Sequence, residues 1–363
     1  IVFLVVLFLG MPVAFAIGIS GFTYFLSNPM IPNEIAAQRV IATTQNFTLL
    51  AVPLFILAGN LMNNTGITKR LVALSETLTG HMVGSLAQVS VVMSTLMGGV
   101  SGSAAADAAM EARILGPDMI KSGYSRGYAA AVNGLSSLVT ATIPPSIGLV
   151  IYGSVGEVSI GRLFAAGIVP GLLMMIILML TVRISSKRRG YAAKNDRPPT
   201  LGEVGHALVS NIWALIFPII LIAGIRFGLF TPSEAGAFAI FYALFVGVVI
   251  YKELTWAKFI ETLRVSCMDI GTLMMIMAMS GIFGYGIVYD SIPQTLAAFL
   301  IGVTSNPVLL LLMIIAFLIA AGMFIETGVC ALLLTPILLP VVQSAGIDPV
   351  HFGIIMMTIL TSG

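Results

Sequence analysis

Long apolar segments separated by short polar connections run along the chain from end to end. Several of them have the length of about 20 residues that a helix needs to cross the hydrocarbon core of a bilayer. These segments lie at 1–27, 47–63, 161–182, 207–229, 232–251 and 265–289. They are too many and too widely spread to be a cleaved signal peptide. The pattern therefore predicts an all-α polytopic membrane protein.

Three further apolar regions, at 83–122, 125–157 and 305–345, are each interrupted near the middle by small or polar residues. The interruption of 125–157 reads TATIPPS. In hydrocarbon every backbone N–H and C=O needs a partner, so a broken helix is tolerated only where it is buried in protein or lines a cavity. These regions therefore predict polar backbone held at membrane depth.

The composition agrees with lipid as the main solvent. The 363 residues are 58% hydrophobic and 9% charged, whereas a soluble domain carries about 25% charged residues. The two cysteines, Cys267 and Cys330, both lie in apolar runs, and they provide neither a disulfide framework nor a zinc pattern. A globular soluble protein is excluded by this balance.

The basic residues predict the orientation of the chain. They concentrate in RISSKRRGYAAKNDRPPT at 183–200, and basic residues collect in cytoplasmic loops. We therefore interpret 183–206 as a cytoplasmic linker. The threading that satisfies this bias makes 83–122 enter and leave from the cytoplasm and 305–345 enter and leave from outside. Both regions are then predicted to be re-entrant helical hairpins.

Two stretches have the pattern of amphipathic arms lying in the membrane interface. The first, TKRLVALSETLTGHM at 68–82, places leucines on one face, and the second, ELTWAKFIETLRV at 253–265, sets apolar residues against charged ones. The alternative for both is an ordinary juxtamembrane connector.

A weak internal repeat relates the two halves of the chain at an offset of 223 residues. AFAI occurs at 14–17 and at 237–240, and the same offset aligns Gly99 with Gly322 and Pro117 with Pro340. The charge threading makes the two halves run in opposite senses. Inverted-topology repeats with discontinuous helices are the architecture of secondary transporters, with the binding site near the midplane.

This organisation divides the chain as follows. The first inverted repeat is 1–182, with hairpin 83–122 and broken helix 125–157; the linker is 183–206; and 207–363 holds an extra helix and the second repeat, with hairpin 305–345 and the start of a second broken helix at 348–363. We predict an elevator-type transport domain from about 83–157 and 265–363, with the remainder as scaffold. We also expect the native chain to extend beyond both ends, with a second proline break four to five residues after Gly363.

The interruptions carry the candidate chemistry. Pro144 and Pro145 lack N–H groups, so carbonyls about one turn earlier lose their helical partners, and free carbonyls and hydroxyls are oxygen ligands that suit Na⁺. The predicted Na⁺ ligands are Gly99, Ser101, Ser103, Thr140 and Thr142 in the first repeat and Gly322, Glu326, Thr327, Ser362 and Gly363 in the second. The predicted substrate-binding residues are Ser103, Asp107, Asn133, Pro144, Pro145, Ser146 and Thr361.

Each of these assignments has a structural alternative. Small residues are common where membrane helices pack against each other. Asp107 and Glu326 could cap or pack a helix beside the hairpin tip, and Asn133 could form an interhelical hydrogen bond. Glu111, also at membrane depth, could form a buried pair with Arg113.

One short motif offers an enzymatic alternative to transport. GVSG at 99–102 resembles the nucleophile motif of rhomboid intramembrane proteases, but that chemistry needs a histidine base on a neighbouring helix. The histidines are His81, His206 and His351, and the threading places none of them beside Ser101 at depth. No phosphate-binding Gly-Lys motif is present, so the sequence predicts neither an enzyme nor ATP hydrolysis, and no organic cofactor.

Several motifs together resemble the large membrane (M) subunit of tripartite ATP-independent periplasmic (TRAP) transporters, and most closely its sialic-acid branch. They are GMPVAFAIG (10–18), VPLFILAGNLM (52–62), GGVSGSAAADAA (98–109), GYAAAVNGLSSLVTATIPPSIGLVIYG (127–153), GLFTPSEAGAFA (228–239) and GIDPVHFGII (346–355). The resemblance implies a Na⁺-driven elevator importer of organic acids, such as sialic acid or C4-dicarboxylates, in the bacterial inner membrane. It also implies two partners, a small four-helix membrane subunit and a periplasmic solute-binding protein.

Two other functions stay open at this point. A stand-alone Na⁺/carboxylate elevator symporter would need no periplasmic partner. A membrane anchor or scaffold subunit would carry no solute at all.

Overall fold

The computed structural model describes residues 2–304 and 306–363. Ile1, where the first predicted repeat begins, and Ser305, where the second predicted hairpin begins, lie outside the described residues. The described residues form α-helices joined by short connections, and no β-strand occurs among them.

The helices of the first half are short. They are α1 Val2–Phe8, α2 Val13–Ser27, α3 Glu34–Thr44, α4 Ala51–Asn64, α5 Ile67–Thr79, α6 Ser85–Gly98, α7 Ala104–Ile114, α8 Gly116–Lys121, α9 Arg126–Thr142 and α10 Ile147–Val155. A 3₁₀ turn at Phe47–Leu50 leads into α4.

The second half holds the longest helices. They are α11 Ile160–Arg189, α12 Leu201–Ser210, α13 Ile212–Arg226, α14 Pro232–Phe245, α15 Trp256–Tyr289, α16 Ile292–Val303, α17 Pro307–Gly322, α18 Thr327–Ser344 and α19 Pro349–Ser362. A π-helical turn at Val246–Ile250 extends α14.

Helix length and composition confirm a multi-pass membrane protein. In the part of the chain that the structure describes, five helical segments are long and apolar enough to cross a bilayer, or up to seven if each of two bent helix pairs counts as one span. The five are Phe47–Asn64, Ile160–Arg189, Pro232–Ile250, Trp256–Tyr289 and Thr327–Ser344. By contrast, α6 has only 14 residues and is too short to span by itself.

About half of the predicted linker is helical. Helix α11 continues through the basic cluster to Arg189, because lysine and arginine are good helix formers. After the break, Thr200 caps α12 in a reciprocal capping box with Glu203, and Arg197 adds two hydrogen bonds to the same carboxylate. These bonds hold the pKa of Glu203 down at about 2. Only residues 190–200 of the linker are therefore non-helical.

The two predicted arms differ in the structure. The first forms α5, whose Leu71 and Leu74 are buried. The second is not a separate helix, because Trp256 begins a continuous 34-residue helix, α15, that runs on into the next apolar segment. No glycine or proline interrupts the sequence between 256 and 270, so nothing ends the helix at the predicted boundary.

A charged contact ties α5 to the connection before α15. Arg70 donates to the Glu253 carboxylate at 2.8 Å, and its guanidinium carbon lies 3.7 Å from the centroid of the Tyr251 ring. Gly66, the N-cap of α5, has a positive φ of 83°, and a Cβ there would lie 2.4 Å from the Glu253 carboxylate. The carboxylate thus sits beside the helix N-terminus, where negative charge is favoured.

This contact predicts an acid-dependent loss of stability. The pKa of Glu253 is lowered, first by the hydrogen bond from Arg70, so its contribution is present above the unfolded value of about 4.3 and is lost as pH falls through the lowered pKa. We expect the Tm of the purified protein to fall more steeply with acidification than the Tm of Glu253→Gln. Both side chains are partly exposed, so the difference is under about 1 kcal/mol.

The control is Lys69→Ala, which removes only the 3.9 Å contact to the same carboxylate. We expect this variant to keep most of the acid dependence. Parallel Tm curves for the native protein and Glu253→Gln would contradict the prediction.

The helix bounds repeat at the offset seen in the sequence. Shifting α6 by 223 residues gives 308–321, and α17 is Pro307–Gly322. Shifting α7 and α8 together gives 327–344, the bounds of α18. The start of α9 likewise maps onto the start of α19. The segment from α6 to the start of α9 and the segment from α17 to the start of α19 therefore begin and end their helices at equivalent positions.

The chain divides into two compact units. One contains residues up to Pro53, Val150–Ile160 and Val265–Gly363, and the other contains Leu54–Leu149 and Gly161–Arg264. In the second unit α6 packs against α5 and α9, and α7 packs against α9; in the first unit α17 and α18 pack against α19. The predicted division into transport domain and scaffold is not tested by these units and stays a prediction.

Candidate functional site

The loop between α6 and α7 lies against the break between α9 and α10. Gly102, in this loop, has a positive φ of 62°, and its carbonyl accepts a hydrogen bond from the N–H of Ile147 at 3.3 Å. A Cβ at Gly102 would lie 2.1 Å from the carbonyl oxygen of Pro145. Only glycine fits this approach, so the sequence allows the first hairpin tip and the helix break to meet backbone to backbone.

The break itself leaves carbonyl groups without helical donors. Helix α9 ends at Thr142, and Pro144 and Pro145 follow before α10 begins. In a continuous helix the N–H groups of those positions would bond the carbonyls of Thr140 and Ala141, and proline has no N–H. The geometry therefore offers backbone oxygens beside the tip.

The serines of the tip make local contacts. The Ser101 hydroxyl donates to the Met97 carbonyl at 3.4 Å, and Ser103 caps α7 by accepting from the Ala106 N–H at 3.4 Å. Helix α4 also approaches the tip, since a Cβ on Gly59 would lie 3.2 Å from the Ser101 carbonyl oxygen. Both serines thus belong to the tip, but their hydroxyls serve the hairpin's own backbone.

The structure brings Thr140, a predicted Na⁺ ligand, together with Asp107, a predicted substrate-binding residue. The Thr140 hydroxyl lies 2.6 Å from Asp107 Oδ2 and 2.9 Å from the Ser94 carbonyl oxygen. Thr140 is fully buried and Asp107 is 1% exposed. Oδ1 of Asp107 is buried and has no hydrogen-bond partner, so this carboxyl retains an acceptor for a further group.

The remaining predicted residues of this unit point elsewhere or cap helices. The Thr142 hydroxyl contacts the Leu138 carbonyl at 3.3 Å and the Met174 sulfur at 3.7 Å. Ser146 accepts from the Leu149 N–H at 3.4 Å and so caps α10. Their predicted roles toward an ion or substrate stay predictions.

Asn133 and Glu111 belong to a buried polar cluster between α6, α7 and α9. The Ser90 hydroxyl lies 3.1 Å from Asn133 Oδ1 and 2.5 Å from Glu111 Oε2. The structural alternative for Asn133, an interhelical hydrogen bond, is therefore present. The proposed Glu111–Arg113 pair is wrong, because Arg113 is exposed and donates to the Ala109 carbonyl instead.

The second tip, between α17 and α18, lies against the end of α19. A Cβ on Gly322 would lie 2.6 Å from the Leu360 carbonyl oxygen. A Cβ on Gly363 would lie 2.5 Å from the Ile319 carbonyl oxygen. The structure thus brings Gly322 and Gly363 of the predicted second set together through their backbones.

The side chains of the second set act locally. Glu326 is exposed and caps α18 by accepting from the Val329 N–H at 3.2 Å, directly before Thr327. Thr361 and Ser362 donate to carbonyls of their own helix at 2.7 and 2.8 Å. The capping alternative for Glu326 is confirmed, and an ion-binding role for this set stays a prediction.

The two tips use equivalent positions for different chemistry. Ser103 and Glu326 are the N-caps of α7 and α18, and they are separated by the repeat offset of 223 residues. A hydroxyl and a carboxylate both accept from helix N–H groups, but only the carboxylate adds a charge. We therefore expect a difference in ion affinity between the two tips to depend on Ser103 and Glu326.

Within the described residues, no group of three or more His, Cys, Asp and Glu side chains is placed to hold a metal ion. A cation at either tip would therefore be held mainly by carbonyl and hydroxyl oxygens, which suit hard cations. Among the described contacts of Ser101 the hydroxyl hydrogen bond goes to a backbone carbonyl, not to a histidine base.

The sequence reasoning missed the serine cluster around Glu111. Its signal was available as polar residues at helical spacing on otherwise apolar helices: Ser90 and Ser94 on α6, Asn133 and Ser136 on α9, and Asp107 and Glu111 on α7. Residues three or four apart share a helix face. Three such pairs on neighbouring helices predict an enclosed polar cluster.

The chain matches, over residues 1–363, the family described as "Tripartite ATP-independent periplasmic transporter, DctM component". It is 39% identical over 359 residues to the sialic acid TRAP transporter large permease protein SiaM of Vibrio cholerae, covering 98% of this chain and 83% of that protein. It is 38% identical over 349 residues to the 2,3-diketo-L-gulonate TRAP transporter large permease protein YiaN of Escherichia coli, covering 96% and 82%. The isethionate TRAP transporter permease protein DctMQ of Oleidesulfovibrio alaskensis is 34% identical over 361 residues, covering 99% of this chain and 57% of that longer protein.

Proposed function

Because the chain belongs to the DctM family of TRAP transporter large permeases, we propose that it imports an organic acid by Na⁺-coupled secondary transport across the bacterial inner membrane. The observation that carries this proposal is the similarity to SiaM along 98% of the chain. The substrate we favour is sialic acid, the solute in that relative's name, with C4-dicarboxylates and other carboxylates as alternatives.

The partners we propose are a small four-helix membrane subunit and a periplasmic solute-binding protein. The DctMQ relative supports the first, because this chain covers only 57% of it and leaves room for a second subunit in the same polypeptide. A periplasmic protein that delivers the substrate is part of what a tripartite system means. A stand-alone symporter would instead transport without it.

The mechanism we propose is an elevator movement built on inverted repeats. The repetition of helix bounds at the 223-residue offset supports the repeat, and re-entrant hairpins and broken helices are typical of such transporters. In this mechanism Na⁺ binds at the tips, orders the substrate site and is carried with the substrate.

For the first tip, the fit to Na⁺ rests on oxygen atoms. The carbonyls of Thr140 and Ala141 receive no helical hydrogen bond from Pro144 and Pro145, because proline has no N–H group. The loop at 99–103 lies against the same break, where the Gly102 carbonyl accepts from the Ile147 N–H. Asp107 adds a buried carboxyl oxygen without a hydrogen-bond partner. These groups would bind and orient the cation and exclude water from it.

Removing the Ser103 hydroxyl tests the ion site. We expect Ser103→Ala to raise the Na⁺ concentration needed for half-maximal uptake severalfold in proteoliposomes that contain both membrane subunits and the binding protein. The physical reason is that the residue joins the tip to the first turn of α7, beside the proposed cation. Uptake of radiolabelled sialic acid as a function of Na⁺ measures it.

The matched control is Ser125→Ala. Ser125 caps α9 by accepting from the Tyr128 N–H at 3.4 Å, the same distance as the Ser103 cap, so both variants lose an equivalent helix cap. An equal Na⁺ requirement in the two variants would remove Ser103 from the ion site. Uptake that persists without the binding protein would instead favour the stand-alone symporter, and no flux at all would favour a scaffold subunit.

A further inference from the structure

Glu111 lies in an enclosed cluster of polar side chains that the proposed Na⁺ transport does not use. Its Oε2 lies 2.5 Å from the Ser90 hydroxyl and 2.9 Å from the Ser136 hydroxyl, and its Oε1 lies 2.7 Å from the Ser94 hydroxyl. These four residues have exposures of 0%, and Asn133 beside them is 3% exposed. The carboxyl is therefore sealed from solvent and bonded only to neutral groups.

The Ser90 hydroxyl, the Ser136 hydroxyl and Glu111 Oε2 form a triangle with more hydrogen-bond contacts than the two hydroxyls have hydrogens to donate. The Ser90 and Ser136 hydroxyls lie 2.8 Å apart, so each side of the triangle with Glu111 Oε2 is at hydrogen-bond distance. Each hydroxyl carries one hydrogen, so the two serines can donate only two of the three hydrogen bonds among these oxygens. A hydrogen on Oε2 supplies the third, and the cycle of donors is then complete.

Asp107, a proposed ligand of Na⁺, is a second buried carboxyl on the same helix. It lies one turn before Glu111, on the same face of α7, and is 1% exposed with an Oδ1 that has no hydrogen-bond partner. Its other oxygen meets the Thr140 hydroxyl, which also faces the Ser94 carbonyl. Glu111 is bonded to neutral hydroxyls alone, and burying a carboxylate without a positive partner of its own is strongly unfavourable.

No basic side chain of the described neighbouring elements faces Glu111. Helix α6 has no ionisable residue. On α7 Arg113 is exposed, and on α9 Arg126 is exposed at the first residue, while the Tyr128 hydroxyl bonds Ser185 and Ser186. On α8 Asp118 and Lys121 pair with each other at the surface. Asp107 is therefore the titratable group that faces it.

We propose that Glu111 is a proton-binding site, in which the carboxyl carries a hydrogen that it shares with Ser90 and Ser136. A metal ion of the size of Na⁺ does not fit between these oxygens. Oxygen ligands stand at about 2.3–2.6 Å from the similarly sized Ca²⁺, which holds neighbouring ligands farther apart than the 2.5–2.9 Å sides of the triangle. The proton site is therefore distinct from the proposed Na⁺ site at the tips.

Infrared spectroscopy of the purified protein at neutral pH tests the proposal directly. We expect the C=O stretching band of a protonated carboxylic acid, and we expect Glu111→Gln to lose it. Asp107→Asn, the other buried carboxyl of α7, is the matched control and keeps the Glu111 band. Ser94→Ala removes the hydroxyl that donates to Oε1, the carbonyl oxygen of the protonated acid. It is expected to shift the band to higher frequency without abolishing it, so the test remains decisive if Glu111→Gln does not fold.

Thermal stability against pH gives a second readout. The native protein holds a proton that the unfolded chain releases, so its Tm is expected to fall as pH rises, and Glu111→Gln is expected to lack that part of the fall. Two results would overturn the proposal: an unchanged carboxylic acid band in Glu111→Gln, or Tm curves parallel to those of the native protein. A Na⁺-dependent stabilisation that Glu111→Gln alone abolishes would identify a cation site instead. None of these measurements requires transport, so they stand whether or not Na⁺-coupled import is confirmed.

Discussion

Replacing Gly102 by alanine is expected to lower substrate uptake roughly tenfold or more, because displacing a binding loop by about 1 Å can cost about 100-fold in activity. The added Cβ would lie 2.1 Å from the Pro145 carbonyl oxygen and 3.1 Å from the Ser146 Cα. Backbone atoms cannot rotate away as a flexible side chain can, so the tip must move off the helix break. Uptake in proteoliposomes containing the complete transporter measures the effect.

Gly123→Ala is the matched control for Gly102→Ala. Gly123 also has a positive φ, 86°, but a Cβ there would meet no atom within 4 Å. Both variants therefore carry the left-handed backbone penalty of about 1–2 kcal/mol, and only Gly102→Ala adds the collision. Equal uptake by the two variants would show that transport does not need the close approach of tip and break.

Thr140→Val is expected to destabilise the protein by about 1–3 kcal/mol, the range for leaving a buried polar group without its partner. Valine matches the shape of threonine but removes the hydroxyl that lies 2.6 Å from Asp107 Oδ2 and 2.9 Å from the Ser94 carbonyl oxygen. Asp107 would then lose this partner while its other oxygen has none. The Tm of the purified transporter in detergent measures the loss.

Thr140→Ser separates the hydroxyl from the methyl group. The serine keeps the donor at the same place, so we expect its Tm to lie much closer to that of the native protein than to that of Thr140→Val. If serine and valine lower the Tm equally, the packing of the methyl group and not the hydrogen bond would account for the effect.

The helical elements were predictable where the signal was local. Proline and glycine at the ends of apolar runs, and capping side chains such as Ser103 and Asp348, mark helix ends by satisfying or removing particular backbone hydrogen bonds, and the described bounds follow them. The predicted helix boundary before residue 265 was wrong for the opposite reason. No such signal interrupts the chain there, and α15 continues.

The candidate site was only partly predictable. The residue types at the two tips were recognisable, because glycine, serine and proline at membrane depth have few other uses. The direction of each side chain was not, as Thr140 and Thr142 illustrate. They stand two residues apart in one helix, yet the first hydroxyl meets Asp107 and the second meets Met174. A helix rotates by about 200° over two residues, and only the neighbouring helices decide which face meets which partner.

By itself the sequence determined the solvent, the class of fold and the family. Few charges, apolar segments of spanning length and a set of motifs distributed along the chain are properties of residue order, and they need no knowledge of contacts. The tertiary structure alone decided that the Gly102 loop meets the Pro145 carbonyl and that Glu111 is enclosed by serines of two other helices. Those contacts join residues up to 43 positions apart along the chain, and such distances are closed by packing, which no local pattern encodes.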